Sequence, residues 1–192
     1  MGRELQKLSD DAERSLWHIE ISTTEGKCET CTARHVISSA PIGELMDRIS
    51  PRPMSYLHAR ALRYRDFLTV ALMVNKPDLF PDNWIYIHSP GVKVGRIQNF
   101  NNWSQAMVPV AGKTCLGMEY FCFKGDGLWE SRDADLIAQA ARELEELGLA
   151  KASEVEDGAV IRMPKAYPIY DSEYREQLDT VRSYIDPIAN LH

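Results

Sequence analysis

The chain has 192 residues, enough for one substantial core or a domain with an extension. Hydrophobic residues make up 44% and charged residues 26%, which is the balance of a globular protein. The formal net charge of -6 offers no positive field to nucleic acid, and no apolar run approaches the roughly 18–20 residues that span a bilayer. The opening Met-Gly-Arg-Glu-Leu-Gln-Lys has no apolar leader core, so a cytoplasmic location is expected.

In chain order, residues 1–15 are polar and read as a lead-in. From Leu16 the pattern alternates, with Trp17, Ile19 and Ile21 on one side and His18 and Glu20 on the other, which predicts a half-buried strand. Glu25-Gly26-Lys27 signals a turn, and Cys28–Thr32 returns as the partner strand. Val36 and Ile37 form a short apolar strand that runs into Ser38, Ser39 and Ala40, and Pro41 opens a helix marked by Ile42, Leu45, Met46 and Ile49. Pro51 and Pro53 stop that helix. Ser55 caps a second through Arg63, with Leu57, Ala61 and Leu62 inward.

Phe67–Val74 is continuously apolar and predicts a central strand covered on both faces. Trp84–His88 and Val92–Phe100 read as a hairpin around Pro90-Gly91, followed by a polar, aromatic loop over 101–112 and a further strand, Cys115–Lys124. Such a meander implies a mainly antiparallel sheet. Asp133–Leu147 predicts the clearest helix, with Leu136, Ile137, Ala140, Ala141, Leu144 and Leu147 inside, Glu143, Glu145 and Glu146 on the solvated face, and Gly148 as the stop. Asp157-Gly158 turns into a strand over 159–163. An extended, proline-stiffened segment over 164–170 and a helix over 172–186 follow, and no closing element is visible after Pro187. The expected fold class is α+β, a mainly antiparallel sheet with flanking helices plus a short hairpin.

The chemistry-bearing patterns are sparse. Cys28 and Cys31 make a CxxC, but no second close pair or histidine spacing completes a zinc site, and no helix begins there as a thioredoxin-like motif requires. Cys115 and Cys122, seven apart on one strand, point to opposite faces, so reduced thiols are expected throughout. No glycine-rich nucleotide fingerprint, nucleophile elbow or paired-histidine motif is present, and no catalytic residue is identified. Two stretches stand out. Arg96, Asn99, Asn101, Asn102, Trp103 and Gln105 gather on a hairpin end, where they either bind a polar ligand or simply form a solvated loop around a buried Trp103. Tyr167 and Tyr170 either present hydroxyls and ring faces to a ligand or fill the core.

Taken together, His35-Val-Ile-Ser-Ser-Ala-Pro-Ile42, Arg96-Ile-Gln-Asn-Phe-Asn-Asn-Trp-Ser104 with Pro109, Met118-Glu-Tyr-Phe-Cys122 with Gly125-Asp126 and Trp129, and Pro164-Lys-Ala-Tyr-Pro-Ile-Tyr-Asp171 with Tyr174 resemble FAD-dependent amine-oxidase-type flavoproteins. The branch they resemble is the one similar to protoporphyrinogen oxidase and UDP-galactopyranose mutase. The resemblance covers most of residues 16–192. It implies a substrate domain over 46–171, a return segment of an FAD domain over 16–45, and a helix over 172–192 leading back towards that domain. It places Ser39, Ala40 and Pro41 beside the cofactor's adenosine side, the sheet over 67–124 as a wall above the flavin ring, and Arg96, Asn99, Trp103, Tyr167 and Tyr170 in the substrate pocket.

The glycine-rich βαβ unit and the closing Gly-Arg segment of that family are absent from these residues. The resemblance therefore implies a central piece, inactive and without FAD by itself, that self-associates through uncovered apolar surface. Three functions follow as expectations: the substrate-binding part of an FAD-dependent oxidoreductase acting on a small molecule, a mutase-like flavoenzyme acting on a nucleotide sugar, or a cofactor-free binding module.

Overall fold

The computed structural model describes residues 2–192. Two units divide the chain: residues up to Arg63 together with Pro168–His192, and Tyr64–Tyr167. Among the described residues the strands form a four-stranded sheet in the first unit and a five-stranded sheet in the second. The α+β class with mainly antiparallel pairing expected from the sequence is borne out.

In the first unit, β1 (Arg3–Asp11), β2 (Leu16–Thr23) and β3 (Cys28–Ala33) pair antiparallel, and β4 (Ile49–Ser50) runs parallel to β1. The lead-in reading of residues 1–15 is thereby corrected. Leu8 is buried beside Trp17, and a register shift between Leu5 and Lys7 accommodates a charged strand. Two helices complete the core, α1 (Ile42–Arg48) and α2 (Tyr56–Ala61), with Leu45, Met46, Ile49 and Ala59 buried. Leu57, expected inward, is 72% exposed because the short helix turns Ala59 to the core instead.

The last helix, α5 (Tyr174–Ile185), buries Val181 in the same core. The chain does have a closing element. Val36 pairs parallel with Leu191, through Val36 N–H to the Asn190 carbonyl at 2.9 Å and His192 N–H to the Val36 carbonyl at 2.8 Å. Leu191 and Val36 enter the core, while Ile37 points out and is 84% exposed.

In the second unit, β6 (Trp84–Tyr86), β7 (Arg96–Asn99), β8 (Thr114–Cys122) and β5 (Tyr64–Val74) lie side by side in that order, each antiparallel to the next, and β9 (Val155–Pro168) lies on the other side of β5. Register puts Leu68, Val70, Leu72, Ile97, Leu116, Met118 and Tyr120 on one face, all buried, beneath α4 (Asp133–Glu146). The other face is only half covered, so β5 is not sheathed on both sides as its continuous hydrophobicity predicts: Thr69, Ala71 and Met73 retain solvent contact. Asp133 and Asp135 suit the positive end of α4, and Gly148, at φ 72°, ends it. The Gly148 N–H bonds the Glu145 carbonyl at 2.9 Å and the Leu149 N–H the Leu144 carbonyl at 3.2 Å, a Schellman closure.

One member of the predicted solvated face of α4 behaves otherwise. Glu143 is buried and accepts from Lys93 N–H, Val94 N–H, the Tyr120 hydroxyl and Gln139 Nε2. It fastens the connection between β6 and β7 onto the helix. Asp66 does the same at the other end of the sheet, accepting from Lys124 N–H at 2.6 Å and Lys165 N–H at 2.8 Å.

Candidate functional site

The half-covered face of the larger sheet is built by strand parity. Trp84 and Tyr86 on β6, Arg96 and Gln98 on β7, Gly117, Glu119 and Phe121 on β8, and Arg65 and Phe67 on β5 all project to it. Near its centre lies Glu119, 1% exposed, paired with Arg96 Nε and with Gln98 Nε2. A buried carboxylate needs such partners, because an isolated one costs several kcal/mol to desolvate. Arg96 is held charged in turn: the hydrogen bond to Glu119 raises its pKa most, against burial, with Tyr86 and Tyr167 adding to the effect.

Aromatic rings surround this pair. Arg96 Cζ lies 5.8 Å from the Tyr86 ring centroid. Phe67, Phe121 and Tyr167 form a triangle with centroid separations of 5.6, 5.8 and 5.8 Å. On the far side Trp84 and Trp103 stack at 5.4 Å with planes 19° apart, and both stay partly exposed. Arg65 lies over Phe123 at 5.5 Å.

Trp103 reaches this position because α3 (Phe100–Trp103) lies on the same face. The Phe100 ring covers Gly117, where a Cβ would come within 2.9 Å of Phe100 Cζ, so the strand needs glycine there. The loop after it is tied down by asparagines. Asn99 caps α3 by accepting from Asn101 N–H and donates to the Phe80 carbonyl, Asn102 donates to the Phe80 and Asp82 carbonyls, and Asn101 bridges Lys113 and Cys115.

Of the residues singled out from the sequence, Arg96, Trp103 and Tyr167 come together on this face, and neither Trp103 nor Tyr167 is a core-filling ring. Asn99 does not join them. It stands three positions from Arg96 on a strand, so it faces the opposite way and is buried with its amide engaged, which corrects its assignment to a pocket. Tyr170 lies in the first unit, edge-on to Tyr174 at 4.8 Å and 74% exposed. Glu119, Gln98, Tyr86, Trp84 and Phe121 were not singled out. A lone glutamate inside an apolar strand, in register with an arginine on the next strand, is the signal for the first.

Ser39, Ala40 and Pro41 form the turn before α1. Ser39 and Ala40 are exposed, Pro41 is half-buried, and Ala40 N–H bonds Ser38 Oγ at 3.3 Å. Ser38 and Ala40 border a cleft of about 330 Å³ whose other walls include Arg3, Glu44 and Arg48. The turn carries no glycine and α1 has only seven residues, so these residues can flank a cofactor but do not cradle a pyrophosphate.

Cys28 and Cys31, three apart on β3, point to opposite faces and are free exposed thiols. Among the described residues no group of three or more His, Cys, Asp or Glu side chains is arranged to hold a metal ion, and no helix is long and apolar enough to cross a membrane.

No protein-family model matches the chain, and no curated protein matches it in sequence. Its fold does have relatives among solved structures. Reduced UDP-galactopyranose mutase matches with a TM-score of 0.75 at 17% identity, over 100% of this chain and 40% of that one. A candidate protoporphyrinogen oxidase from Exiguobacterium sp. 255-15 matches at 0.66 and 13% identity, over 99% and 40%. A putrescine oxidase double mutant redesigned in its cofactor binding matches at 0.62 and 14% identity, over 99% and 42%. The chain thus spans about two fifths of the length of these proteins and has the fold of that portion of them. The resemblance carried by the sequence motifs is matched at the level of fold.

Proposed function

We propose that the chain is the substrate-binding portion of an FAD-dependent oxidoreductase, with the aromatic face of the larger sheet as the surface against which a small molecule is held. The observation that carries this reading is the pairing of half-buried Arg96 and Gln98 with buried Glu119, set among Tyr86, Phe121, Tyr167 and the Trp84–Trp103 stack. Ring faces supply apolar area and Arg96 fixes orientation, the combination expected of a small-molecule site. Flavin, when bound, supplies the redox chemistry. The residues of this chain bind and orient the substrate and keep water from one side of it.

In this reading Ser39, Ala40 and Pro41 flank the cofactor's adenosine side, and the pyrophosphate is held by residues outside this chain. The chain alone then binds FAD weakly or not at all and self-associates through exposed Ile37, Met54 and Leu57. Purification of the complete reading frame tests the proposal: flavin absorbance that co-elutes with the protein is expected. A complete frame that binds no flavin and encodes no glycine-rich βαβ unit overturns it.

The likeness to UDP-galactopyranose mutase favours a second reading, a mutase-like enzyme acting on a nucleotide sugar. It expects a uridine-diphosphate sugar at millimolar concentration to perturb the reduced flavin spectrum of the complete protein. No perturbation removes it.

A further inference from the structure

On the reading that the aromatic face is the substrate surface, its charges narrow what it takes. Along β5 to β8 the residues projecting to that face include two guanidiniums, Arg65 and Arg96, and one carboxylate, Glu119. Glu119 is buried and already engaged by Arg96 and Gln98, so it is not available to a cationic ligand. Cation–π capture by the rings is also opposed, because Arg65 and Arg96 already lie over Phe123 and Tyr86 and repel a second positive charge there.

Arg96 spends its Nε on Glu119, and the rest of its fork is shared with the hydroxyls of Tyr86 and Tyr167, each of which still has its own proton to donate to a ligand oxygen. Four strands at a spacing of about 4.8 Å give a platform about 14 Å across, enough for two or three fused rings.

We infer that this face selects a flat, aromatic or conjugated ligand carrying an anionic oxygen group, and discriminates against ligands whose charged group is an ammonium. The ring system lies against the Trp84–Trp103 and Phe67–Phe121–Tyr167 clusters, and the acid group meets Arg96.

The test compares three probes with one ring system on the chain as it stands: 2-naphthoate, 2-naphthylmethanol and 2-naphthylmethylammonium. Binding is followed through the indole N–H resonances of Trp84 and Trp103 at low ionic strength. Naphthoate is expected to bind about tenfold or more tighter than the ammonium, with the alcohol between them. The paired substitution Arg96→Met with Glu119→Gln, which leaves no unpaired buried charge, should abolish the preference, so that naphthoate and the alcohol bind the variant alike. Equal or tighter binding of the ammonium overturns the inference, as does the absence of any saturable shift at Trp84 and Trp103 with all three probes. The flavin content of the complete protein is read separately. Flavin without the charge preference sinks this inference alone. The charge preference without flavin keeps the acid-binding face and sinks the flavoprotein reading.

Discussion

The Tyr120 hydroxyl donates to Glu143 Oε2 at 3.1 Å inside the core of the larger sheet. Burial, and then the carboxylate itself, push the phenol's pKa up, so it remains a donor at every physiological pH. The same carboxylate accepts the Lys93 and Val94 amides and the Gln139 side chain. Glu143→Ala strands those donors and is expected to cost about 3 kcal/mol, with Glu143→Gln costing about half as much. Urea midpoints at constant slope measure both. An alanine variant within about 0.5 kcal/mol of the parent would show that water replaces the carboxylate freely.

Arg96 and Glu119 stabilise the sheet only as a pair. Arg96→Met alone leaves Glu119 buried without its charge partner and should cost about 3 kcal/mol or more, whereas the double variant with Glu119→Gln should recover more than half of that loss. A thermodynamic cycle over the three variants measures the coupling. Additive losses would mean that Gln98 and solvent already satisfy Glu119.

The cysteines should sort by place. Cys28 and Cys31 are exposed on an edge strand, while burial, with Asp126 and Asp66 nearby, pushes the Cys122 thiol up to about 11. The thiolate is the reactive form, so a maleimide at neutral pH should label Cys28 and Cys31 rapidly and Cys122 only after unfolding. Mass spectrometry of the labelled peptides reads the order directly. Labelling of Cys122 at the rate of Cys28 would mean that the end of β8 opens readily.

Asp126 carries an acid-side contribution. Burial alone raises its pKa, but the N–H groups of Phe123, Trp129 and Leu128 outweigh it and hold the carboxyl below its usual value. With the folded pKa below the unfolded one, about 3.9, the stabilisation is present above that unfolded value and is lost as pH falls through the folded pKa. Stability measured from pH 5 downward should therefore fall less steeply in Asp126→Asn than in the parent. Identical slopes would place the acid sensitivity elsewhere, Asp47 with its Tyr56 and Arg60 partners being the next candidate.

Much of this was legible in the residues, for identifiable reasons. The helix over Asp133–Glu146 announces itself because its apolar positions repeat every three or four residues and a glycine ends it. β1 was missed because the register shift between Leu5 and Lys7 breaks its alternation, leaving its two leucines three apart. Glu143 sits at Ala140+3, on the edge of the inner stripe, where charge suggests solvent but position dictates burial. Arg96 and Asn99 look like one polar cluster along the chain, yet strand parity sends them to opposite faces. The pairing of Val36 with Leu191 leaves no local pattern at all.

That last pairing has a consequence for how the molecule is made. Residues 64–167 form one unit from a single uninterrupted stretch, whereas the other unit takes residues from both sides of it. Trp17, Leu45 and Met46 find Val181 and Leu191 only after everything between has been synthesised. On the ribosome the later-coded sheet therefore completes its core first, and the earlier-coded one waits with its tryptophan uncovered. Closing so long a span costs little more than closing a short one, since the cost grows only logarithmically with length, but it fixes the order of events. The first sixty residues therefore stay uncovered, and open to chaperones that bind nascent apolar segments, for longer than the middle of the chain does.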